Sequence, residues 1–146
     1  MNNPEREQSK NEKMILIKKK AFEQRLWHEQ KVIKHIGNQN CLYIQKYYEI
    51  ENDKSEDTIY MDYCSKKSLN VYLTHYKGIM SLQLKLAFLN QVIIGLRFLR
   101  DFDIVHLDLK PENILLKAYR TKSLSTFLVL RLIDFGESFF GVSLLN

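Results

Sequence analysis

Residues 104–116 read IVHLDLKPENILL, which is two short apolar runs with a polar segment between them. The apolar runs are typical of buried strands, and the polar segment is typical of a loop whose side chains face one site. Within that segment Asp108 and Asn113 are five positions apart, with Lys110 between them. An acceptor, an amide and a cation are therefore predicted to converge on one point of the loop.

This combination of groups is what phosphoryl transfer requires, because catalysis of that reaction consists mostly of positioning and charge neutralisation. The loop HLDLKPEN resembles the catalytic loop of the eukaryotic-type protein kinases. Asp134-Phe135-Gly136, 26 residues after Asp108, resembles their metal-binding triplet. The H-x-D-x-x-x-x-N skeleton also occurs in small-molecule phosphotransferases, but the added Lys-Pro-Glu resembles the serine/threonine protein kinases.

The resemblance implies a role for each of these polar residues. Asp108 would accept the proton of a substrate hydroxyl, and Lys110 would neutralise charge on the transferred phosphoryl group. Asn113 and Asp134 would hold the Mg²⁺ ions that bridge the phosphates of ATP. The implied cofactors are therefore ATP and Mg²⁺, and the implied partner is a protein substrate. The alternative for Asp108 and Asp134 is that both are ordinary solvated turn residues.

A lysine–glutamate pair is the next feature that the resemblance implies. The apolar run Met14–Ile17 ends in Lys18 and resembles the strand whose lysine contacts the α- and β-phosphates. Residues 21–36 show the period of an amphipathic helix, and Glu29 falls on its apolar face, where a carboxylate needs a partner. Lys18 and Glu29 are closer in sequence than this family leads us to expect. Either the connecting loop is shortened, or Lys19 or Lys20 replaces Lys18, or the pair does not form. Glu29 could instead lie solvated at the rim of the face.

The adenine pocket is predicted from two strand-like runs, 42–50 and 58–63, with a polar turn between them. The second run and the residue after it read TIYMDYC, which resembles the strand that leads into the hinge of a kinase. By that resemblance Met61 lies at the back of the adenine pocket, and the backbone of Asp62 to Cys64 supplies hydrogen bonds to adenine. The alternative is that these are plain core residues of a strand.

Helices are predicted over residues 66–76 and after Ser81, a candidate N-cap. The apolar row of the second helix steps by three or four residues through Leu82, Leu86, Leu89, Ile93, Leu96 and Leu99. Other apolar residues lie beyond this row, so the helix has more than one apolar face. It resembles the kinase helix that supports the catalytic loop. Residues 117–127 are polar and basic, and we expect a flexible excursion there.

The predicted fold class is α+β. We expect a partial protein-kinase-like fold with a small antiparallel N-lobe sheet, a helix C, and a helical partial C-lobe that carries the catalytic loop. Residues 1–13 are expected to be a disordered lead, 14–63 a partial N-lobe, and 64–146 a partial C-lobe that ends shortly after Asp134-Phe135-Gly136. This division follows the resemblance and the polar, aperiodic start of the chain.

Several features of a complete kinase domain are missing from the sequence. None of the five glycines precedes the first predicted strand, so the Gly-rich loop over the ATP phosphates is absent. Ten residues follow Gly136, too few for most of the C-lobe. We therefore expect the predicted helix after Ser81 to leave an apolar face exposed, and a partner chain to cover it. Leu107 replaces the arginine that usually precedes the catalytic aspartate, which argues against switching by loop phosphorylation.

Composition excludes several other classes of protein. The net charge of +5 is mild, and a solvated basic surface is expected rather than a nucleic-acid partner. Two cysteines do not make a disulfide scaffold and suit a reducing, cytoplasmic location. No uninterrupted apolar run reaches the roughly 18 residues of a membrane span, and no membrane partner is expected.

Overall fold

A computed structural model of the chain describes residues 23–52, 57–64, 66–76, 78–122 and 125–141. The predicted lead 1–13 and the apolar run Met14–Ile17 lie outside these residues. So do Lys18, Lys19 and Lys20, and the predicted contact of one of them with Glu29.

Over this described part, the chain folds into three α-helices, a short 3-10 turn and six strands. The bounds are α1 Glu23–Ile36, β1 Tyr47–Asn52, β2 Asp57–Met61, α2 Leu69–Tyr76, α3 Leu82–Asp101, β3 Ile104–Val105, the 3-10 turn Pro111–Asn113, β4 Ile114–Arg120, β5 Thr126–Leu132 and β6 Phe139–Phe140. The mixture of helices with small antiparallel sheets confirms the predicted α+β class.

The strands form three antiparallel pairs, β1 with β2, β3 with β6, and β4 with β5. In the first pair Tyr47 lies opposite Met61, and the register shifts between Tyr47 and Glu49. In the third pair Leu116 lies opposite Leu130. The polar segment 106–113 therefore connects β3 to β4, as the apolar runs on either side of it predict.

Two groups of apolar side chains hold these elements together. The main core consists of Val32, Ile36, Ile44, Phe88, Leu99, Ile104, Ile114, Leu116, Leu130, Leu132 and Phe135. The sheet cluster consists of Ile59 and Met61, with Ile33, Tyr47 and Ile50 packed against them. Tyr47 packs against both groups, so it connects the β1–β2 hairpin to the rest of the chain.

Helix α3 crosses β5 closely because Gly95 faces the strand. A β-carbon at this position would come within 3.1 Å of Leu132 Cδ1 and 3.3 Å of the Tyr43 carbonyl oxygen, closer than ordinary contact. The helix begins at its predicted cap, where Ser81 Oγ accepts a hydrogen bond from the Leu84 amide at 3.2 Å. The main-core side chains of α3 that are fully buried are Phe88 and Leu99.

Most of the apolar row of α3 that the sequence shows faces solvent. Its members Leu82, Leu86, Leu89 and Ile93 are 45–67% exposed. The buried side passes through Phe88, Gly95 and Leu99, and Leu99 is the last member of that row. The helical period identifies apolar rows, but it cannot tell which of two rows meets the sheet. The expectation that one apolar face of this helix stays uncovered is confirmed for the part of the chain that the structure describes.

Helix α3 is also long and apolar enough to cross a membrane, by length and composition alone. It is the single helix among the described residues for which this is true, and the criterion is also met by core helices of folded domains. One side of α3 packs against β5, as is typical of a helix in a folded domain.

Two of the expected elements differ from the structure. Residues 117–127 were expected to be a flexible excursion, but Lys117–Arg120 continue β4 and pair with β5 as far as Arg120 opposite Thr126. The Tyr119 and Phe127 rings stack across this pair with centroids 5.5 Å apart, a cross-strand contact that favours the longer hairpin. The expected strand 42–50 begins only at Tyr47, because the Tyr43 carbonyl and the Gln45 amide bond to Leu132 instead.

Candidate active site

The loop between β3 and β4 gathers the three predicted polar side chains around one carboxylate. Asn113 Nδ2 donates to Asp108 Oδ2 at 2.8 Å and to the Asp108 carbonyl oxygen at 2.9 Å. Lys110 Nζ donates to Asp108 Oδ1 at 2.9 Å and Oδ2 at 2.7 Å. Asn113 lies in the 3-10 turn that Pro111 begins, which places its amide beneath Asp108. The structure thus brings Asp108, Lys110 and Asn113 together.

These hydrogen bonds set the charge state of the loop. The Lys110 ammonium holds the pKa of Asp108 below its ordinary value, and the Asn113 amide lowers that pKa further. The same bond with Asp108 raises the pKa of Lys110. Asp108 is therefore ionised and Lys110 protonated across the physiological range, which are the charge states that their predicted roles require.

The pH dependence of Asp108 tests this arrangement. In Lys110→Met we expect the carboxyl pKa of Asp108 to rise from its depressed value, because the charged donor that stabilises the anion is gone. Protonation of Asp108 should then begin at a higher pH than in the wild type. The measurement is an NMR titration of the Asp108 side-chain carboxyl carbon. Lys122→Met, at an exposed position of the β4–β5 turn, is the control, and an equal rise in both variants would contradict the prediction.

Asp134 is joined to this loop through the backbone of its neighbour. The Ile133 amide donates to the Asn113 carbonyl oxygen at 3.0 Å. The Ile133 carbonyl oxygen lies 3.0 Å from His106 Nε2. Asp134 follows with φ +65°, a left-handed conformation that aspartate tolerates better than most residues. Asp134 Oδ1 accepts a hydrogen bond from the Gly136 amide at 3.4 Å, and the charge of Asp134 is among the causes that raise the pKa of Lys110.

Phe135 anchors this triplet in the main core. Its side chain is fully buried, with its ring centroid 5.3 Å from that of His106 and 6.3 Å from that of Tyr47. His106 in turn lies at the start of the polar segment 106–113 and is itself buried. The position of Asp134 is therefore determined by packing on one side and by backbone hydrogen bonds on the other.

Glu29 lies on the inner side of α1 and is only 1% exposed. The Tyr47 hydroxyl donates to Glu29 Oε1 at 3.3 Å. The alternative of a solvated glutamate at the rim of the helix is therefore wrong. A buried carboxylate needs polar or charged partners, and Tyr47 is one of them.

The predicted hinge residues follow β2. Met61 is buried in the sheet cluster. The Asp62 amide donates to the Lys46 carbonyl oxygen at 2.9 Å, and the Asp62 carbonyl oxygen accepts from Gln45 Nε2 at 2.5 Å. Cys64 Sγ lies 3.5 Å from Gln45 Oε1, and burial raises the pKa of its thiol. The buried Gln45 side chain thus contacts both Asp62 and Cys64.

Residues that the sequence did not single out contribute to this hinge. Asp62 Oδ2 forms ion pairs with Arg131 at 2.9 Å and Lys117 at 2.5 Å. Arg131 also donates to the Tyr119 hydroxyl at 2.7 Å. An arginine within the apolar run 128–133 is a signal that a buried carboxylate must lie nearby, although the sequence does not identify that carboxylate as Asp62. Gln45 and Tyr47 carry no comparable signal.

The predicted magnesium ligands are compatible in chemistry with that ion. The donor bonds of Asn113 Nδ2 to Asp108 direct the amide oxygen of Asn113 away from that carboxylate, so an oxygen is left to serve as a ligand. Asp134 supplies a carboxylate. Within the described ranges no three His, Cys, Asp or Glu side chains form a metal-binding group. Mg²⁺ commonly takes one or two protein ligands, with phosphates and water completing its shell, so two ligands suffice.

Comparisons with known protein sequences identify the family to which this chain is similar. A family profile described as "Protein kinase domain" matches residues 5–142. The chain is 31% identical to "Serine/threonine-protein kinase atg1" of Dictyostelium discoideum over 122 residues, which are 82% of the chain and 17% of that protein. It is 46% identical over 77 residues to "Probable serine/threonine-protein kinase dyrk2" of the same organism, half of the chain and 8% of that protein.

A mammalian relative also matches most of this chain over a small part of its own length. The chain is 30% identical to "Serine/threonine-protein kinase ULK3" of Rattus norvegicus over 117 residues, or 80% of the chain and 23% of that protein. The chain thus spans less than a quarter of each of these three relatives. The family match covers nearly all of the sequence and includes the loop and triplet described above. The chain therefore belongs to the protein kinase domain family.

Proposed function

We propose that this chain carries the catalytic and metal-binding residues of a serine/threonine protein kinase, which transfers the γ-phosphoryl group of ATP to a protein hydroxyl. The observation that carries the proposal is the geometry of the loop. Asp108 is held by Asn113 and Lys110, while the Ile133 amide, next to Asp134, bonds to the Asn113 carbonyl oxygen.

In this proposal each side chain of the loop acts on the substrate hydroxyl or on the phosphates. Asp108 orients the attacking hydroxyl and accepts its proton, since its lowered pKa keeps it ionised. Lys110 Nζ neutralises charge on the phosphoryl group in transit. Asn113 and Asp134 would hold Mg²⁺, which when bound supplies charge neutralisation at the phosphates.

The adenine end of ATP is assigned to the hinge. The Asp62 carbonyl oxygen already accepts from Gln45 Nε2, and a carbonyl has a second lone pair that the adenine amino group could use. The backbone of Cys64 would supply the other hydrogen bonds. Met61 is buried at the end of β2, which is consistent with a position at the back of the pocket. Glu29 would pair with a lysine on the α- and β-phosphates.

Nucleotide binding is tested by thermal unfolding with and without ATP and Mg²⁺. Ligand bound only to the folded state stabilises it by about 2.7 kcal/mol at roughly 100 times its Kd. We expect wild-type protein to gain Tm with Mg²⁺ and ATP, and Asp134→Asn to lose most of that gain. Asparagine is chosen because Asp134 has positive φ, where alanine would add strain.

The control for this measurement is Asp103→Asn, which makes the same change at an exposed residue with positive φ. It should keep the full gain in Tm. ATP with EDTA should give a smaller gain than ATP with Mg²⁺. An equal Tm gain in Asp134→Asn and wild type would show that Asp134 holds no metal ion.

A second candidate function is a non-catalytic, kinase-derived module that binds nucleotide weakly or serves as a docking partner. It is favoured by the uncovered row of α3, where Leu82, Leu86, Leu89 and Ile93 are exposed. An apolar row of this kind is typical of a surface that another chain covers. Nucleotide binding without phosphoryl transfer would support this candidate over the kinase. We propose a cytoplasmic location for either function, since Cys41 and Cys64 are both free thiols.

A further inference from the structure

Tyr47 contacts two residues of the candidate site that lie on different elements, Glu29 of α1 and Phe135 next to Asp134. It is the first residue of β1, and its hydroxyl donates to Glu29 Oε1 at 3.3 Å. Its ring lies 6.3 Å from the ring of Phe135, centroid to centroid. The same side chain packs against the main core and the sheet cluster. One residue therefore touches the buried glutamate of α1 and the phenylalanine that anchors Asp134.

The electrostatic surroundings of Tyr47 agree with this placement. Its pKa is raised well above the ordinary value by burial first, and then by the charge of Glu29, the hydrogen bond to Glu29 and the charge of Asp134. The phenol therefore stays protonated and remains a donor at any physiological pH. The phenol is thus affected by the Glu29 carboxylate, which its hydroxyl contacts, and by the charge of Asp134.

We propose that Tyr47 is a positioning residue, whose hydroxyl holds the Glu29 carboxylate toward the triphosphate site while its ring supports Phe135. The inference rests on the proposed function, because Glu29 acts there through the lysine on the phosphates. A hydrogen bond to a buried carboxylate fixes its rotamer, and a fixed carboxylate places its cationic partner. Tyr47 therefore affects the phosphate end of the nucleotide and leaves the adenosine end unaffected.

The test compares Tyr47→Phe, which removes only the hydroxyl, with wild type. Binding of ATP with Mg²⁺ and binding of adenosine are both measured by calorimetry. We expect Tyr47→Phe to weaken ATP binding about tenfold, the usual effect of losing one hydrogen bond to a charged group, and to leave adenosine binding unchanged.

Tyr60→Phe is the matched control. It removes another tyrosine–glutamate hydrogen bond on the same hairpin, from Tyr60 to Glu51 at 2.7 Å, at an exposed place away from the loop. It should change neither affinity. Glu29→Gln changes the acceptor of the same hydrogen bond. Adding Tyr47→Phe to Glu29→Gln should cause little further loss of ATP affinity, since the two groups act as a unit.

The outcomes separate this inference from the proposed function. Wild-type protein that binds no ATP would overturn both. ATP binding by wild type with no loss in Tyr47→Phe would overturn the role of Tyr47 alone. Equal weakening of ATP and adenosine would show that Tyr47 supports only the fold, and additive losses with Glu29→Gln would show that the two residues act separately. Both of these results overturn the inference.

Discussion

Asp108→Asn should lose phosphoryl transfer to a protein substrate while it retains binding of ATP with Mg²⁺. Asparagine has nearly the same shape as aspartate but cannot accept the proton of the attacking hydroxyl. General-base catalysis contributes about 10²–10⁴-fold in rate, so we expect a loss of that size. The measurement is transfer of labelled phosphate from ATP to a generic protein substrate.

The position of Asp108 explains why binding should survive. The metal ligands in the proposal are Asn113 and Asp134, so the Tm gain with ATP and Mg²⁺ should remain in Asp108→Asn. Asp103→Asn removes the same charge from an exposed residue and should keep full transfer. Transfer that survives unchanged in Asp108→Asn would remove Asp108 from the chemistry. Nucleotide binding with no transfer even in wild type would favour the non-catalytic module.

Asp62→Ala should strongly destabilise the fold. Asp62 neutralises Arg131, whose side chain is 6% exposed, and Lys117, which is 16% exposed. Removing one member of a buried ion pair leaves an uncompensated charge and costs about 3–5 kcal/mol. Total stabilities of domains are about 5–15 kcal/mol, so this single change would remove a large share. The measurement is the free energy of unfolding from urea denaturation.

Two further variants define what this stability depends on. Asp101→Asn breaks the exposed ion pair with Arg100 and should cost no more than about 1 kcal/mol. Asp62→Leu combined with Arg131→Met replaces two of the three charges and should cost less than Asp62→Ala, because the more deeply buried cation is removed and Lys117 alone loses its partner. If Asp62→Ala were no more harmful than Asp101→Asn, the hinge would not depend on this ion pair.

The elements that were predicted well are those with a local signal. Helix α3 and its Ser81 cap follow from a helical period and a side chain that bonds within one turn. The loop around Asp108 follows from residues only five positions apart, whose contacts the local backbone largely determines. A buried Glu29 was one of two alternatives that the sequence left open, because a carboxylate on an apolar face needs a partner if it is buried.

The elements that were missed depend on residues far apart in sequence. The side of α3 that meets the sheet is selected by the close approach of Gly95 to Leu132, 37 positions away. The full length of the β4–β5 hairpin depends on pairing across the strands. Asp62 pairs with Lys117, which is 55 residues away, and no pattern in either segment indicates that the two residues meet.

The sequence by itself determined which chemistry is available. Asp108, Lys110 and Asn113 lie within one short loop, and the segment that carries Asp134 follows a recognisable strand. Only the tertiary structure decided that these parts meet. The Ile133 amide bonds to Asn113, and Tyr47 contacts both Glu29 and Phe135. Local backbone geometry specifies contacts over a few residues, whereas contacts between distant segments exist only once strands pair and the core packs.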